Sequence, residues 1–222
     1  MNTNSLISLL VGPLTSLVAG LLPAPLTCPA DMVETGTGTC IDRYEWPNKK
    51  GVKPLLGISG VQEPWDDEGL VMDAERLCAS AGKRVCQLDE WRKACRGPGG
   101  ASYPFGGKLP KLERREDAPC NFAQFYREVN EMKVWHRDAK HMAYLDQSWP
   151  AGSREACRSA SGAYDMVGNG EEWVRCPKGT DGWCLVSRYW AEAVTCDAVI
   201  MGHAPKWHYY TTTVRCCADK RR

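Results

Sequence analysis

The 222-residue sequence contains only three phenylalanines, has no C-x-x-C motif and carries almost no net charge. Its 28 basic and 27 acidic residues give a net charge of +1, so no overall field attracts nucleic acid or an anionic membrane. The missing C-x-x-C motif argues against zinc-ribbon, ferredoxin and c-haem sites. Apolar residues make up 43% of the chain, which excludes wholesale disorder.

Cysteine, tryptophan and glycine are instead abundant, with 12 Cys, 9 Trp and 21 Gly. So many thiols without a metal-binding spacing would be an oxidation hazard in a reducing cytosol. We therefore predict that most of the cysteines form disulfides and that the protein works in an oxidising, extracytoplasmic compartment, such as a periplasm, a cell surface or the extracellular medium. The composition favours a loop-rich, disulfide-stabilised domain over a helical bundle.

An uncharged, leucine-rich segment runs from Ser5 to Leu22 near the start of the chain. No lysine or arginine precedes it, and Gly12-Pro13 interrupts it as a helix. The segment fits an export signal, a retained membrane anchor through residues 6–22, or a buried apolar segment. We predict that residues 1–27 are a signal peptide or an N-terminal membrane anchor and that residues 28–222 form the folded domain.

Local patterns predict few regular elements. The apolar face and the C-terminal glycine of residues 73–81 indicate a helix, and residues 88–95 indicate a second short helix. Residues 28–54 read as a short hairpin, and residues 97–150 read mostly as loop, because glycine, proline and charge dominate there. Short strands are predicted at Ile41–Trp46, Trp173–Val174, Trp183–Tyr189 and Tyr209–Cys217.

Three motifs make the chain resemble a known family. GKRVCQLDEWRKAC occupies residues 82–95, YPFG follows at 103–106, and GAYDMVGNGEEW lies at 162–173. In this order they resemble the landmarks of the formylglycine-generating enzyme / sulfatase-modifying-factor family, over about residues 28–218. The resemblance implies an α+β fold, the sulfatase-modifying-factor variant of the C-type-lectin-like fold, with short twisted strands, two helices and much irregular loop.

The resemblance also implies calcium sites. The glycine-containing run 165–172 has the carboxylates of Asp165 and Glu172 at its two ends and a turning backbone between them, and carboxylates plus main-chain carbonyls are the ligands that Ca²⁺ takes. Carried over from the family, the first site would use Asp165, Gly168, Gly170 and Glu172. The second would use Asn121, Phe122, Asp146 and Ser148. The alternative is that Asp165 and Glu172 cap turns and pair with arginine or lysine.

The family's two internal disulfides imply the pairs Cys78–Cys216 and Cys95–Cys196. The remaining cysteines are then paired by economy as Cys28–Cys40, Cys86–Cys217, Cys120–Cys157 and Cys176–Cys184. The adjacent cysteines Cys216-Cys217 could alternatively form a redox-active vicinal pair.

The copper centre of the family is where this sequence departs most. Family enzymes oxidise a substrate cysteine with O₂ at Cu(I) held by two thiolates, which are the soft ligands that Cu(I) prefers. The positions that match these two cysteines are Val186 and Ala191, and the nearby Cys196 is expected to be consumed in a disulfide. The family's glycine pair is replaced by Ser187-Arg188. We expect no catalytic residues and no copper.

Aromatic residues crowd the segment after the predicted calcium loop. We expect Trp173 and Trp190 in the core of this phenylalanine-poor domain. A surface for a protein or glycan partner is predicted at Arg188, Trp207, His208 and Tyr210.

These observations favour an exported, noncatalytic binding or structural protein, a pseudoenzyme on a formylglycine-generating-enzyme-like scaffold. Residues 6–22 would also suit a membrane-anchored subunit of an envelope assembly. The alternative is an active copper-dependent oxidase that converts a sulfatase cysteine to formylglycine. Nucleic acid is not expected as a partner.

Overall fold

The structure is a computed structural model that describes residues 25–36, 38–62 and 72–221. The apolar segment from Ser5 to Leu22, with its predicted role as signal or anchor, lies outside the described residues. Within the described ranges, no helix is both long and apolar enough to cross a membrane.

The fold is of the mixed α+β class, with short elements joined by long irregular segments, as the sequence predicts. In chain order the elements are β1 (Met32–Glu34), β2 (Thr39–Asp42), α1 (Ala74–Ser80), β3 (Arg84–Val85), α2 (Leu88–Arg96), α3 (Glu131–Trp135), α4 (Ala139–Leu145), β4 (Glu171–Thr180), β5 (Trp183–Val186), β6 (Thr212–Val214) and β7 (Cys216–Asp219). Single 3₁₀ turns occur at Arg115–Asp117 and Glu155–Cys157.

The strands form two small sheets. The first is antiparallel, in the order β1-β2-β7-β3, and contains the predicted N-terminal hairpin. The second has the order β5-β4-β6, in which β5 is antiparallel and β6 parallel to β4. Strands β6 and β7 are consecutive but belong to different sheets, so the single residue between them, Arg215, lies at the junction of the two sheets.

Helices α1 and α2 agree with the sequence prediction because both have clear start signals. The side chain of Asp73 accepts a hydrogen bond from the backbone N–H of Arg76 at 2.8 Å, which caps α1. The backbone N–H of Gln87 donates to Glu90 at 2.8 Å at the start of α2.

The prediction of two helices is wrong in number, because α3 and α4 form within the segment 97–150 that was predicted as loop. They span five and seven residues, too short for an apolar repeat to emerge from the sequence. The strand prediction Trp173–Val174 is too short, since β4 runs from Glu171 to Thr180. Residues 43–46 are turn and bend rather than strand.

Tryptophan supplies much of the core. Trp91, Trp173, Trp183 and Trp190 are each at most 1% exposed, and Trp173 and Trp183 meet edge to face with ring centroids 6.0 Å apart. The core positions predicted for Trp173 and Trp190 are therefore confirmed.

Five of the six predicted cysteine pairs are bonded in the structure. They are Cys28–Cys40, Cys78–Cys216, Cys86–Cys217, Cys95–Cys196 and Cys120–Cys157. Because Cys216 and Cys217 bond to different partners, they attach β7 to both α1 and the segment between β3 and α2. The vicinal redox pair is thereby excluded in this structure.

The sixth predicted pair is not bonded, since Cys176 and Cys184 are buried thiols. In the β4–β5 register Cys184 lies opposite Val174, whereas the N–H of Cys176 donates to the carbonyl of Gly182. The two cysteines are thus diagonal neighbours, for which the Cα separation is typically about 7–8 Å. A separation of that size exceeds the usual range for a disulfide, and the two side chains meet as hydrogen-bonded thiols instead.

Labelling with iodoacetamide should therefore find two reactive cysteines per chain when the protein is denatured without reduction. Peptide mapping should place both labels at Cys176 and Cys184, while the fully reduced protein serves as the control in which all 12 cysteines react. An unlabelled chain would mean that the hairpin carries a sixth disulfide. Labels on Cys95 and Cys196 would contradict the alignment of the C-terminal half with the family.

Candidate functional site

The loop before β4 turns sharply enough to aim its polar groups inward. Asp165, Gly168 and Asn169 all adopt positive φ angles, of 57°, 78° and 65°. A Cβ atom on Gly168 would lie 2.2 Å from the carbonyl oxygen of Asn121, so only glycine fits this close approach. The loop is consequently pinned against the segment that carries Asn121.

Three buried carboxylates converge behind this loop. They belong to Asp165 and Glu172, which the sequence predicts, and to Glu45, which it does not. The pKa of Glu45 is raised well above its usual range by burial, and the charges of Asp165 and Glu172 add to that effect. Burial likewise raises the pKa of Asp165 to about 6. The cluster is therefore a place where negative charge is costly unless a cation neutralises it.

Arg215 is the cation that this chain supplies to the cluster. Its side chain is 0% exposed, and its Nε and Nη2 atoms donate to Glu172 at 3.1–3.3 Å. The remaining guanidinium contacts are the carbonyls of Asp42 at 3.0 Å and Tyr164 at 2.7 Å. For Glu172, the alternative expectation of an arginine partner is realised.

Glu45 carries the least satisfied atom of the cluster. Its Oε2 accepts a hydrogen bond from Asn169, but its Oε1 is buried without any hydrogen-bond partner. A Cβ atom on Gly170 would lie 3.1 Å from that Oε1, so the glycine leaves space beside it. A buried carboxylate oxygen without a donor requires protonation or a cation.

Several oxygens of the first predicted calcium site already have partners within the chain, since the Gly168 carbonyl accepts hydrogen bonds from Ser187 and Gly170, and Asp165 accepts one from the N–H of Gly152. With all three carboxylates ionised and Arg215 protonated, the cluster has two negative charges in excess, which one divalent cation would balance. Among the described residues, no three His, Cys, Asp or Glu side chains converge closely enough to hold a metal by themselves. Main-chain carbonyls such as those of Gly168 and Gly170 would have to complete the ligand set.

The second predicted calcium site does not fit as it stands. The structure does bring Asn121 beside residues 146–148, because its Nδ2 donates to the carbonyl of Gln147 at 3.0 Å. However, Asp146 is already bound by Lys53 at 3.0 Å and by the Ser148 hydroxyl at 2.6 Å. Phe122 has a buried side chain. The carboxylate at this place already has an internal cation.

The two positions matched to the copper cysteines lie in different environments. Val186 ends β5, is 0% exposed and faces Glu172 in the register, whereas Ala191 is partly exposed in the following loop. Cys196, the remaining cysteine of this segment, is bonded to Cys95. Burial raises the pKa of the Cys184 thiol, as does a hydrogen bond with Cys176.

Ser187 and Arg188 have φ angles of 77° and 60°, in the left-handed region that favours glycine. This is the backbone expected where related sequences carry a glycine pair. Arg188 directs its guanidinium towards two carboxylates, with Nη1 3.5 Å from Glu171 Oε1 and Nε 3.4 Å from Glu192 Oε2. Glu171 is 4% exposed.

The predicted partner surface is partly wrong. His208 and Tyr210 are each 7% exposed, because His208 stacks on Trp135 and Tyr210 packs against Trp190. Arg188 is 35% exposed, and Trp207 is half-buried against Trp173.

Two exposed aromatic side chains, Tyr126 and Trp135, lie beside that surface. We use the name aromatic face for these two together with the partly buried Tyr189, Tyr209 and Trp207. Tyr126 is 66% and Trp135 62% exposed, and Tyr126 meets Tyr189 at a 75° interplanar angle. The α3 residues went unnoticed in the sequence because that segment reads as loop.

Comparison with known proteins agrees with this architecture. A family model for a sulfatase-modifying factor enzyme 1-like domain matches residues 70–196, which is more than half of the chain. A comparison with curated proteins finds no match.

Among solved structures, the Major Tropism Determinant U1 variant has a TM-score of 0.51 at 12% identity, covering 88% of this chain and 54% of its own. PvdO from Pseudomonas aeruginosa has a TM-score of 0.46 at 19% identity, covering 81% and 79%. Treponema denticola variable protein 1 has a TM-score of 0.41 at 14% identity, covering 60% and 46%. This chain thus spans only about half the length of two of them. At 12% identity the likeness to the Major Tropism Determinant shows a C-type-lectin-like fold alone.

Proposed function

We propose that this chain, which belongs to the sulfatase-modifying factor enzyme 1-like family, is a noncatalytic, extracytoplasmic binding protein that uses the scaffold of formylglycine-generating enzymes. The proposal rests on positions 186 and 191, which the motifs match to the family's two copper-binding cysteines and which are Val186 and Ala191 here. Cys196 supports it, because it is bonded to Cys95.

Chemistry at these positions supports the proposal. Cu(I) in a protein requires soft ligands such as thiolates, and neither a valine nor an alanine side chain can bind it. The two free thiols of the described residues, Cys176 and Cys184, are 3% and 1% exposed. Since burial also raises the pKa of Cys184, this pair is poorly suited to act as an accessible thiolate site.

The compartment is supported by the disulfides. Five bonded pairs in one small domain are typical of proteins that fold in an oxidising environment. The apolar residues 6–22 would hold such a domain at a membrane if they are retained, which suits a subunit of an envelope assembly.

Calcium is proposed as a structural ion at the first site. Glu45 and Asp165 would provide side-chain oxygens, and Gly168 and Gly170 would provide carbonyls. Glu172 would add charge, although Trp91 and Arg215 already bind its oxygens. The buried Glu45 Oε1 without a donor supports this assignment.

Binding is proposed to occur at the aromatic face. Tyrosine, tryptophan and arginine dominate the energetics of protein interfaces because they combine large contact area with hydrogen-bonding groups. The exposed Trp135 and Tyr126 have this composition, and Tyr126 is connected to Arg188 through Glu192. A polypeptide partner fits it, and a glycan is the second candidate.

The proposal is tested by incubating the protein with copper, oxygen and a Cys-x-Pro-x-Arg peptide and measuring formylglycine by mass spectrometry. We expect no conversion and no tight Cu(I) binding. A Val186→Cys/Ala191→Cys variant is the matched control and should gain Cu(I) binding if these positions are correctly aligned. Conversion by the wild type that is abolished by Cys196→Ser would overturn the proposal and favour the oxidase.

A further inference from the structure

A guanidinium group of the chain itself lies between two carboxylates at the edge of the aromatic face. Arg188 contacts Glu171 and Glu192 at 3.5 and 3.4 Å, longer than the 2.7–2.9 Å that is usual for charged N–H···O contacts. By contrast, Arg84 binds Glu90 through two hydrogen bonds of 2.7 and 2.8 Å. Arg188 therefore lies between two carboxylates without forming a short ion pair with either of them.

The two carboxylates around this guanidinium also have hydrogen-bond donors other than Arg188. Glu171 is buried, and its Oε2 accepts a hydrogen bond from the Thr211 hydroxyl at 2.9 Å, which fixes the carboxylate. Glu192 is fixed from the other side, because the Tyr126 hydroxyl donates to its Oε1 at 2.9 Å. Glu171 is thus held in place without Arg188, and Glu192 has a second partner in the exposed Tyr126.

Aromatic residues lie beside the two carboxylates, since the Tyr126 hydroxyl donates to Glu192 and Tyr189 follows Arg188 in the chain. Tyr126 meets Tyr189 at 75°, and Tyr189 meets Tyr210 at 69°, with ring centroids 6.4 and 6.5 Å apart. Planar guanidinium groups bind well to such surroundings, because they stack on aromatic faces and donate to carboxylates at the same time.

The backbone that carries Arg188 is also unfavourable for arginine. Its φ angle of 60° and the 77° of Ser187 are conformations that glycine adopts without cost. The loose contacts and the 35% exposure of the side chain leave Arg188 able to turn out into solvent.

From these observations we propose that Glu171, Glu192 and the neighbouring tyrosines form a subsite for an arginine side chain of a partner polypeptide, and that Arg188 occupies this subsite in the free protein. Arg188 is then an internal competitor, which must be displaced before the partner's arginine binds. This proposal rests on the proposed function, since it names the chemistry that a partner of the aromatic face presents.

Arg188→Gly tests the proposal directly, because glycine suits the positive φ angle and removes the competitor. The probe is methylguanidinium, and the control is methylurea, which has a similar shape and no charge; binding is measured by isothermal titration calorimetry. We expect Arg188→Gly to bind methylguanidinium but not methylurea. The wild type and Arg188→Lys should bind methylguanidinium at least about 10-fold more weakly than Arg188→Gly does. The reason is that a competing side chain lowers the fraction of protein molecules whose subsite is free.

Removing the carboxylates distinguishes this subsite from general surface binding. Glu171→Gln in the Arg188→Gly background should abolish the preference for methylguanidinium, and Glu192→Gln, at a more exposed position, provides the same test if the buried substitution impairs folding. Arginine amide and citrulline amide repeat the comparison with side chains that a partner would carry. Equal binding of charged and neutral probes, or a preference that survives both substitutions, overturns the proposal. Such a failure leaves the noncatalytic function untouched, because copper-dependent turnover tests that function separately.

Discussion

Arg215→Met should lower the free energy of unfolding by about 3–5 kcal/mol, the cost expected when one partner of a buried ion pair is removed. Arg215 is 0% exposed and is bound to Glu172, which is also 0% exposed. Methionine fills much of the same space but leaves Glu172 without its counterion, beside the buried Glu45 and Asp165. Urea unfolding monitored by tryptophan fluorescence measures the change.

A surface ion pair provides the matched control. Lys220 binds Glu34 at 2.7 Å, but the two side chains are 22% and 53% exposed. Because solvent screens such pairs, Lys220→Met should change the free energy of unfolding by about 1 kcal/mol or less. If both substitutions cost the same, the carboxylates of the cluster are neutral in the folded protein and Arg215 is not their counterion. The double variant Arg215→Met/Glu172→Gln should recover part of the loss.

The parts of the fold that the sequence predicts well have strong local signals. Helix α1 combines an apolar face with an N-terminal Asp73 and a C-terminal glycine, and its observed bounds differ from the prediction by one residue at each end. Helices α3 and α4 begin after Asn130 and Asp138, whose side chains cap them. Single polar caps occur in many loops, so these two helices could not be recognised without an apolar repeat.

The cysteine pairs show where pairing the remaining cysteines by economy fails. Cys176 and Cys184 are close in sequence and lie on adjacent strands, which favours a disulfide. The decisive information is the register of β4 and β5, which shifts between Arg175 and Thr180. A shift of one or two residues decides whether cysteines face each other, and the sequence contains no signal for it.

The candidate site was predicted only where its residues are local. Asp165, in the loop before β4, and Glu172, at the start of β4, are close in sequence and can be read together, whereas Glu45 reaches the same cluster from the first third of the chain. The burial of the aromatic rings also depends on residues that are distant in sequence. Tyr210 is buried because Trp190 and Tyr189 cover it, and such contacts depend on the tertiary arrangement of irregular segments.

Calcium should raise the melting temperature of the protein, and chelation with EDTA should lower it. The stabilisation from a ligand that binds only the folded state is about 2.7 kcal/mol at a concentration 100 times the dissociation constant. Glu45→Gln should remove most of this response, because it takes one charge from the site and leaves the Arg215–Glu172 pair intact. Glu172→Gln is a less informative variant, since it breaks that pair and destabilises the protein whether or not calcium binds.

Two controls make the calcium result specific. Glu34→Gln removes an exposed carboxylate bound to Lys220 and should leave the calcium response unchanged. Magnesium should stabilise less than calcium, because a site that relies on carbonyls in an irregular loop does not provide the compact octahedral geometry that Mg²⁺ requires. A wild-type melting temperature that ignores both calcium and EDTA, or a Glu45→Gln variant that responds like the wild type, would contradict the calcium site. The unpartnered Glu45 oxygen would then have to be neutralised by a proton instead, because burial already raises the pKa of that carboxyl well above its usual range.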